Sequence, residues 1–264
     1  MRALGECPAG VLRTAQGVLC DIDDTLTTEG HLTATAYSAM EQLQKAGLRV
    51  IPVTGRPAGW CDHIARMWPV DAVVGENGAF WFRYDHRSRR MQRAFIDPPE
   101  VRQRNRERLK NIGSRILEAV PGSAIAADQG YRECDLAIDF CEDVPRLPES
   151  AVGKIVSLME AEGMTAKISS IHVNGWFGTY DKLAMTRRLF ADVFGQSLDS
   201  VKDQYLFAGD SPNDAPMFGY FPHSVGVANV RDFADRLEHQ PAYVTPSRSG
   251  DGFAELAHTL LQSR

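Results

Sequence analysis

GVLCDIDDT, residues 17–25, is the stretch that decides the fold, because a short apolar run leads directly into three carboxylates within four positions. The apolar part, residues 17–22, predicts a buried strand. It begins an alternation of short apolar runs with helical patterns, which is typical of a parallel sheet with helices on its faces. Since crossovers between parallel strands are right-handed, we expect a doubly wound sheet. The next predicted elements are a helix at 33–46, a strand at 48–53, a helix after Pro57 and a strand at 70–75.

This alternation stops in the middle of the chain and resumes from Asp181. The intervening stretch predicts a hairpin at 80–84 and 91–96, helices at 98–120 and 149–162, and strands at 134–140, 164–168 and 171–177. The resumed part predicts helices at 181–194, after Pro212, near 231–237 and at 252–262, and strands at 204–208, 224–227 and 242–244. We therefore predict an α/β fold with a doubly wound, Rossmann-like parallel sheet as its core and an inserted α+β cap domain. The core would comprise residues 1–96 and 179–264, and the cap residues 97–178.

Composition excludes several classes of protein. The chain has 264 residues, 44% of them hydrophobic, and a net charge of -5, which argues against intrinsic disorder. No apolar run approaches the roughly 20 residues of a membrane span. The five cysteines are few and odd in number, and the first ten residues lack the apolar segment of a signal peptide. We expect a reduced, cytoplasmic protein that is a monomer or a dimer.

Positive charge is concentrated between residues 83 and 115, where 11 Lys and Arg stand against 4 Asp and Glu. Such a patch can bind nucleic acid or attract an anionic substrate to the mouth of a site. The chain as a whole is acidic, which argues against a nucleic-acid partner. A solvated hairpin and helix face explains the pattern more simply.

Four polar clusters follow predicted strands or begin a predicted helix. Asp21 and Asp23 follow the first strand, Thr54 and Gly55 follow the strand at 48–53, Lys182 begins the helix at 181–194, and Asp210, Asn213 and Asp214 follow the strand at 204–208. Ligands of open α/β sheets bind at the carboxyl ends of the strands, so we expect these clusters to meet. Two groups of carboxylates at one sheet edge predict a hard cation with oxygen ligands, which here would be Mg²⁺.

Together these residues are suited to phosphoryl transfer. Asp21 would attack phosphorus, and Asp23 would protonate the leaving oxygen and then activate water. The side chains of Asp21 and Asp210 and the main-chain carbonyl of Asp23 would bind the metal ion. The hydroxyl of Thr54, the N–H of Gly55 and the ammonium of Lys182 would orient the phosphoryl oxygens.

The motifs DIDDT (21–25), VTGR (53–56), Lys182 and GDSPND (209–214) resemble those of the haloacid dehalogenase-like (HAD) phosphatase superfamily. The insertion is similar to the C2 cap of subfamily IIB, which includes Cof-type and sucrose- or trehalose-phosphate phosphatase-like proteins, and Glu76-Asn77-Gly78-Ala79 resembles an element of that subgroup. The resemblance implies an Mg²⁺-dependent phosphatase of a sugar phosphate or similar small metabolite. It implies Asp21 as nucleophile, Asp23 as acid/base and Asp210 as metal ligand, with Asp23 and Asp214 completing the metal site and Asn213 beside the phosphate. Asp24 departs from the family, since many members have glycine there.

Substrate selectivity would come from the inserted domain, where His172 and Asn174 are candidate contacts for a sugar ring. Two other functions remain open. A phosphomutase would return the phosphoryl group to a sugar. A phospho-accepting signalling module would also combine Asp, Thr and Lys on a doubly wound sheet, but it needs neither Asp23 nor an inserted domain.

Overall fold

The computed structural model describes residues 1–169 and 171–264. Within these ranges the strands are β1 Arg2–Ala3, β2 Gly17–Cys20, β3 Thr27–Thr28, β4 His31–Leu32, β5 Arg49–Pro52, β6 Val73–Gly75, β7 Phe80–Asp85, β8 Arg90–Phe95, β9 Ala124–Ile125, β10 Asp135–Asp139, β11 Thr165–Ile168, β12 His172–Trp176, β13 Tyr205–Gly209, β14 Ser224–Gly226 and β15 Tyr243–Val244. The α-helices are α1 Ala9–Thr14, α2 Ala34–Lys45, α3 Ala58–Met67, α4 Pro99–Ala119, α5 Glu149–Ala161, α6 Lys182–Phe194, α7 Leu198–Val201, α8 Ala215–Tyr220 and α9 Ser249–Gln262.

A six-stranded parallel sheet forms the core, in the order β1-β15-β14-β13-β2-β5. Side chains alternate along β2, so Val18 and Cys20 enter one apolar cluster and Leu19 enters the other. The first cluster includes buried residues of α2 and α9, and the second includes buried residues of α6 and α8. Helices therefore cover both faces of the sheet, and the predicted doubly wound core is confirmed.

The strand predicted at 70–75 joins this sheet less fully than expected. β6 pairs antiparallel with β7, and β7 pairs with β8, in a separate three-stranded sheet. Among the described residues, β6 meets the parallel sheet at an isolated parallel bridge between Val53 and Val74, where the N–H of Thr54 donates to the carbonyl of Val74. The strand turns back at once into β7, because the 3-10 turn Glu76–Gly78 follows it directly. The predicted hairpin is confirmed, and β6 pairs with it while Val73 and Val74 stay buried in the two apolar clusters of the core.

A second layer is built on the antiparallel sheet β11-β12-β10-β9. Apolar side chains of α4 and α5, among them Leu109, Ile112 and Ile155, pack with Leu136 and Val173 of this sheet in a third apolar cluster. An inserted α+β cap is thereby confirmed as the architecture. The residue limits 97–178 for the cap remain a prediction.

The helix predicted near 231–237 is wrong, because Ala228–Arg236 forms 3-10 turns. Asn229 holds this segment at both of its amide atoms: its Nδ2 donates to the carbonyl of Asp24 at 3.0 Å, and its Oδ1 accepts the N–H of Ser249 at 2.9 Å. These bonds fix the segment against the loop after β2 and the start of α9.

Candidate active site

Asp21 lies at the carboxyl end of β2, where its N–H donates to the carbonyl of Ala208 on the neighbouring β13 at 2.9 Å. The side chain is buried, with 4% of the residue exposed. Burial is the largest effect and raises the pKa of Asp21 to about 7; the charge of Lys182 opposes it, and the charges of Asp214 and Asp23 add to it. The buried environment thus disfavours the ionised form of Asp21.

Three buried carboxylates meet here, since oxygen atoms of Asp21, Asp210 and Asp214 lie within 4.8 Å of one another. Lys182 Nζ donates to Asp21 Oδ1 at 2.7 Å and to Asp214 Oδ1 at 2.9 Å. Burial lowers the pKa of Lys182, but the two carboxylates outweigh burial and raise it overall. The cluster therefore contains one positive and up to three negative charges. A divalent cation bound there would neutralise the excess negative charge.

Asp210 is oriented by residues from two other loops. Thr25 Oγ1 donates to Asp210 Oδ1 at 3.2 Å, and Asn229 Nδ2 donates to Asp210 Oδ2 at 3.2 Å. Its own N–H donates to Asp214 Oδ2 at 3.1 Å. Burial, followed by the charges of Asp214 and Asp21, raises the pKa of Asp210 well above its usual range. Thr25 and Asn229 were not among the predicted site residues; the signal for Asn229 was a polar residue soon after the buried strand β14.

The donor set suits Mg²⁺, which prefers carboxylate oxygens. Buried carboxylates with raised pKa values are also what an uncompensated cation site produces. Asp23, predicted as a further ligand, has its carboxylate outside this cluster and directed at Arg56. The side-chain ligands that the structure brings together are those of Asp21, Asp210 and Asp214.

Arg56 binds Asp23 through a forked contact. Its Nη2 lies 2.6 Å from Asp23 Oδ1, and its Nε lies 2.9 and 3.1 Å from the two carboxylate oxygens. The guanidinium also stacks 4.5 Å over the ring of Trp60 and lies 4.0 Å from Glu142. Arg56 is the last residue of the VTGR motif, and no role was predicted for it from the sequence. Its pairing with Asp23 could not be predicted because 33 positions separate the two residues.

Thr54 and Gly55 follow the end of β5; Gly55 lines the same pocket as Asp21 and Asp23, whereas Thr54 is fully buried. The N–H of Thr54 donates to the carbonyl of Val74 at 2.9 Å, and its Oγ1 accepts the N–H of Arg56 at 3.0 Å. A Cβ on Gly55 would lie 3.2 Å from the side chain of Asn77. The absence of a Cβ at Gly55 therefore lets the backbone lie close to Asn77 and leaves the N–H of Gly55 uncovered by a side chain.

The cap faces the acidic cluster across a cleft. Its lining from the core includes Asp21, Asp23, Gly55, Arg56, Asp210 and Asn213, and its lining from the cap includes Arg132, Ser169, Ile171, His172 and Asn174. The structure therefore brings the predicted residues His172 and Asn174 to the same cleft as Asp21. The basic stretch at 83–115, considered for the mouth of the site, supplies none of these lining residues.

The cap wall is polar and mutually bonded. Asn174 Nδ2 donates to Asp135 Oδ2 at 3.0 Å, and Arg132 Nη1 donates to Asp135 Oδ1 at 3.0 Å. His172 Nε2 lies 2.8 Å from Glu142 Oε2. Burial lowers the pKa of His172, assisted by the charge of Arg132, so a neutral imidazole is favoured. Arg132 was missed at the sequence level, where it looked like an ordinary charged residue.

Basic residues of the stretch at 83–115 have partners elsewhere. Arg93 pairs with Asp62 at 2.7 Å, and Arg115 pairs with Glu162 at 2.8 Å. Arg108 stacks 3.7 Å over the ring of Phe177. These contacts agree with a solvated face. Among the described residues, no helix has the length and apolar character needed to cross a membrane.

Comparison with known proteins agrees with this geometry. A family model for haloacid dehalogenase-like hydrolases matches residues 18–110. No curated protein has a sequence that matches this chain.

Several solved structures share the fold. A protein of Thermoplasma acidophilum is 18% identical with a TM-score of 0.69, over 94% of this chain and 98% of that one. A HAD/COF-like chain of Plasmodium vivax is 17% identical with a TM-score of 0.69, over 97% and 99%. The sucrose-phosphatase of Synechocystis, solved with sucrose and phosphate, is 16% identical with a TM-score of 0.62, over 93% and 98%. Residues 18–110 thus resemble the haloacid dehalogenase-like hydrolases in sequence, and the chain as a whole shares its fold with these solved structures.

Proposed function

We propose that the protein is an Mg²⁺-dependent phosphatase that hydrolyses a small phosphate monoester, in particular a sugar phosphate, in the cytoplasm. The observation that carries this proposal is the buried carboxylate of Asp21 at a strand end, bonded to Lys182 and within 4.8 Å of Asp210 and Asp214. A carboxylate held beside a fixed cation, in a cleft, is the arrangement expected of a nucleophile toward phosphorus.

Asp21 is the proposed nucleophile. A carboxylate oxygen forms a bond to phosphorus while the bond from phosphorus to the ester oxygen breaks, which gives an aspartyl phosphate and an alcohol. Water then attacks the same phosphorus, releases inorganic phosphate and restores the carboxylate. Lys182 holds Asp21 Oδ1 at 2.7 Å, so the orientation of the carboxylate is set before substrate arrives.

Asp23 is the proposed proton donor to the leaving oxygen, and it takes a proton from water in the second step. The fork of Arg56 fixes its carboxylate at the edge of the cleft. The arginine must loosen when Asp23 is protonated, because a protonated carboxyl no longer offers two charged oxygens. Arg56 has Trp60 and Glu142 as further partners for its charge during that step.

Phosphoryl oxygens would be bound by the hydroxyl of Thr54, the N–H of Gly55 and the ammonium of Lys182. Asn213 Oδ1 accepts the hydroxyl of Ser211 at 2.7 Å, which leaves the Nδ2 of Asn213 as a donor into the cleft. Asp21, Asp210 and Asp214 would hold Mg²⁺, which when bound supplies positive charge to the phosphoryl oxygens.

The substrate class rests on the cap wall. His172 and Asn174 line the cleft opposite Asp21, beside the charged pair Arg132 and Asp135. A wall of polar groups with few apolar side chains suits a ligand with many hydroxyl groups. The similar fold of a sucrose-phosphatase supports the same choice.

Phosphate release from p-nitrophenyl phosphate and from a panel of sugar phosphates tests the proposal. We expect turnover that requires Mg²⁺ and falls at least about 10³-fold in Asp21→Asn, since the nucleophile is lost. Asp71→Asn is the matched control. Asp71 does not line the cleft, and its carboxylate accepts the backbone N–H of Val50 at a distance of 2.9 Å. Turnover that survives Asp21→Asn would refute the covalent mechanism.

Product analysis separates the alternatives. An isomeric sugar ester in place of inorganic phosphate would identify a mutase. A phosphorylated protein with a lifetime of minutes or longer would identify a signalling module.

A further inference from the structure

Glu76 is a buried carboxylate that the proposed reaction does not use. The residue is 0% exposed. Its Oε1 accepts the N–H of Ala58, the first residue of α3, at 2.9 Å. The same oxygen accepts the N–H of Glu133 at 2.9 Å, and Oε2 accepts the N–H of Cys134 at 2.6 Å. One side chain therefore joins a core helix to the segment that leads into strand β10 of the cap sheet.

The backbone around Glu76 is strained. Glu76 has φ of 42° and Asn77 has φ of 55°, so two consecutive residues other than glycine adopt the left-handed region. Such a conformation costs free energy and persists where the surroundings require it. The N–H of Glu76 donates to the carbonyl of Arg56, and that of Asn77 donates to the carbonyl of Thr54, each at 3.1 Å. The strained turn is thus bonded to the loop proposed to bind phosphate.

A second contact joins the same two parts of the molecule. Arg132, next to Glu133, donates to the carbonyl of Gly55 at 3.1 Å. Arg132 is held in turn by Asp128 at 2.9 Å and by Asp135 at 3.0 Å. Asp135 begins β10 and accepts from Asn174, which lines the cleft. Bonds therefore run without a gap from Glu76 to the cap wall that faces Asp21.

We propose that Glu76 is a positioning residue that fixes the distance between the cap wall and the phosphate-binding loop. Its carboxylate accepts two N–H groups of the cap edge and one of the core, while its own backbone is bonded to the loop at Thr54–Arg56. Through Arg132 and Asp135 this sets where Asn174 stands relative to Asp21. The expected effect on kinetics rests on the proposed function. The expected effect on the cap edge rests on the contacts alone.

The test variant is Glu76→Gln, which keeps the size of the side chain but replaces one acceptor oxygen with a donor, so that three N–H groups cannot all be bonded. Asp71→Asn is the matched control, because it changes another carboxylate that accepts a backbone N–H, that of Val50. Hydrogen exchange of single amides is measured in both variants. The amide nitrogen faces either Cys134 or Glu133, so we expect exchange at one of these two N–H groups to rise at least about tenfold in Glu76→Gln alone, and exchange at Val50 to rise in the control alone.

Kinetics distinguish positioning from a merely structural role. For glucose 6-phosphate, which would reach the cap wall, we expect KM to rise about five- to tenfold in Glu76→Gln with little change in kcat. For acetyl phosphate, which is too small to reach the wall, both constants should stay near those of the wild type. An equal loss of kcat for both substrates, or unchanged exchange at Glu133 and Cys134, would overturn the proposal.

A second variant covers the case in which Glu76→Gln does not fold. Glu133→Pro removes one N–H donor and leaves Glu76 in place, and it should raise exchange at Cys134 and raise KM for glucose 6-phosphate in the same direction. If the wild type hydrolyses neither substrate, the proposed function fails, while the exchange measurement still decides whether Glu76 holds the cap edge.

Discussion

Replacing Asp210 with Asn should stabilise the protein without metal and remove its response to Mg²⁺. Asp210 accepts from Thr25 and from Asn229. An asparagine can keep both contacts, since its Oδ1 accepts from the amide of Asn229 and its Nδ2 donates to the hydroxyl of Thr25, which can rotate. The change therefore removes one negative charge with little loss of hydrogen bonding.

The size of the effect follows from the distances. Oxygens of Asp210, Asp21 and Asp214 lie within 4.8 Å, and at an effective dielectric constant of about 20 each charge pair costs about 3.5 kcal/mol. Lys182, which bonds the other two carboxylates, offsets roughly one of the two repulsions. Proton uptake by wild-type Asp210 relieves part of the rest, so we expect a gain of about 2 kcal/mol in the free energy of unfolding.

The gain should grow with pH. Burial raises the pKa of Asp210 above its value of 3.8 in the unfolded chain. The folded state then binds more protons than the unfolded state above pH 3.8, so the contribution of this group to stability falls as pH rises. Asn cannot titrate, so the difference between variant and wild type should be larger at pH 8 than at pH 5.

Urea denaturation at pH 5 and pH 8, with EDTA or with Mg²⁺, measures both effects. Wild type should gain about 2.7 kcal/mol when Mg²⁺ is present at about 100 times its Kd, and Asp210→Asn much less. Asp71→Asn is the control for loss of a carboxylate outside the cluster. The reasoning is refuted if Asp210→Asn is less stable than wild type in EDTA, or if Mg²⁺ stabilises both proteins equally.

Three further predictions concern single residues of the site. Asp24 has φ of 58°, so Asp24→Gly should raise the free energy of unfolding by about 0.5–1 kcal/mol in urea denaturation, because glycine adopts this region without strain; a loss of stability would show that the Asp side chain itself holds the turn. Gly78 has φ of 106°, and a Cβ there would lie 2.0 Å from the carbonyl oxygen of Asp181, so Gly78→Ala should cost about 3 kcal/mol by the same assay, whereas Gly130→Ala, with no atom within 4 Å, should change little. Equal effects of the two alanines would contradict this account. Arg56→Lys keeps the charge but not the fork on Asp23, so kcat for a phosphate ester should fall about 10–100-fold with a smaller change in KM, measured by steady-state phosphate release; an unchanged kcat would exclude a role for Arg56 in orienting Asp23.

Much of the site could be predicted because its residues occupy positions that local patterns define. An apolar run of strand length followed by carboxylates marks a strand end, and the ends of parallel strands share one edge of a sheet. Asp21, Thr54 and Asp210 therefore had to lie near one another once the strands were recognised. The 3-10 segment Ala228–Arg236 was misread because a few apolar residues at helical spacing do not outweigh side-chain bonds such as those of Asn229.

The tertiary structure alone decided which side chains are partners. That Asp23 binds Arg56, that Thr25 and Asn229 hold Asp210, and that Glu76 joins α3 to the edge of the cap depend on contacts between segments far apart in the chain. Periodicity reports which side of a strand or helix becomes buried, since burial follows from the repeat of the backbone. It carries no information on which buried polar group meets which, because that pairing is set by how separate elements pack and by the need to satisfy each donor and acceptor removed from water.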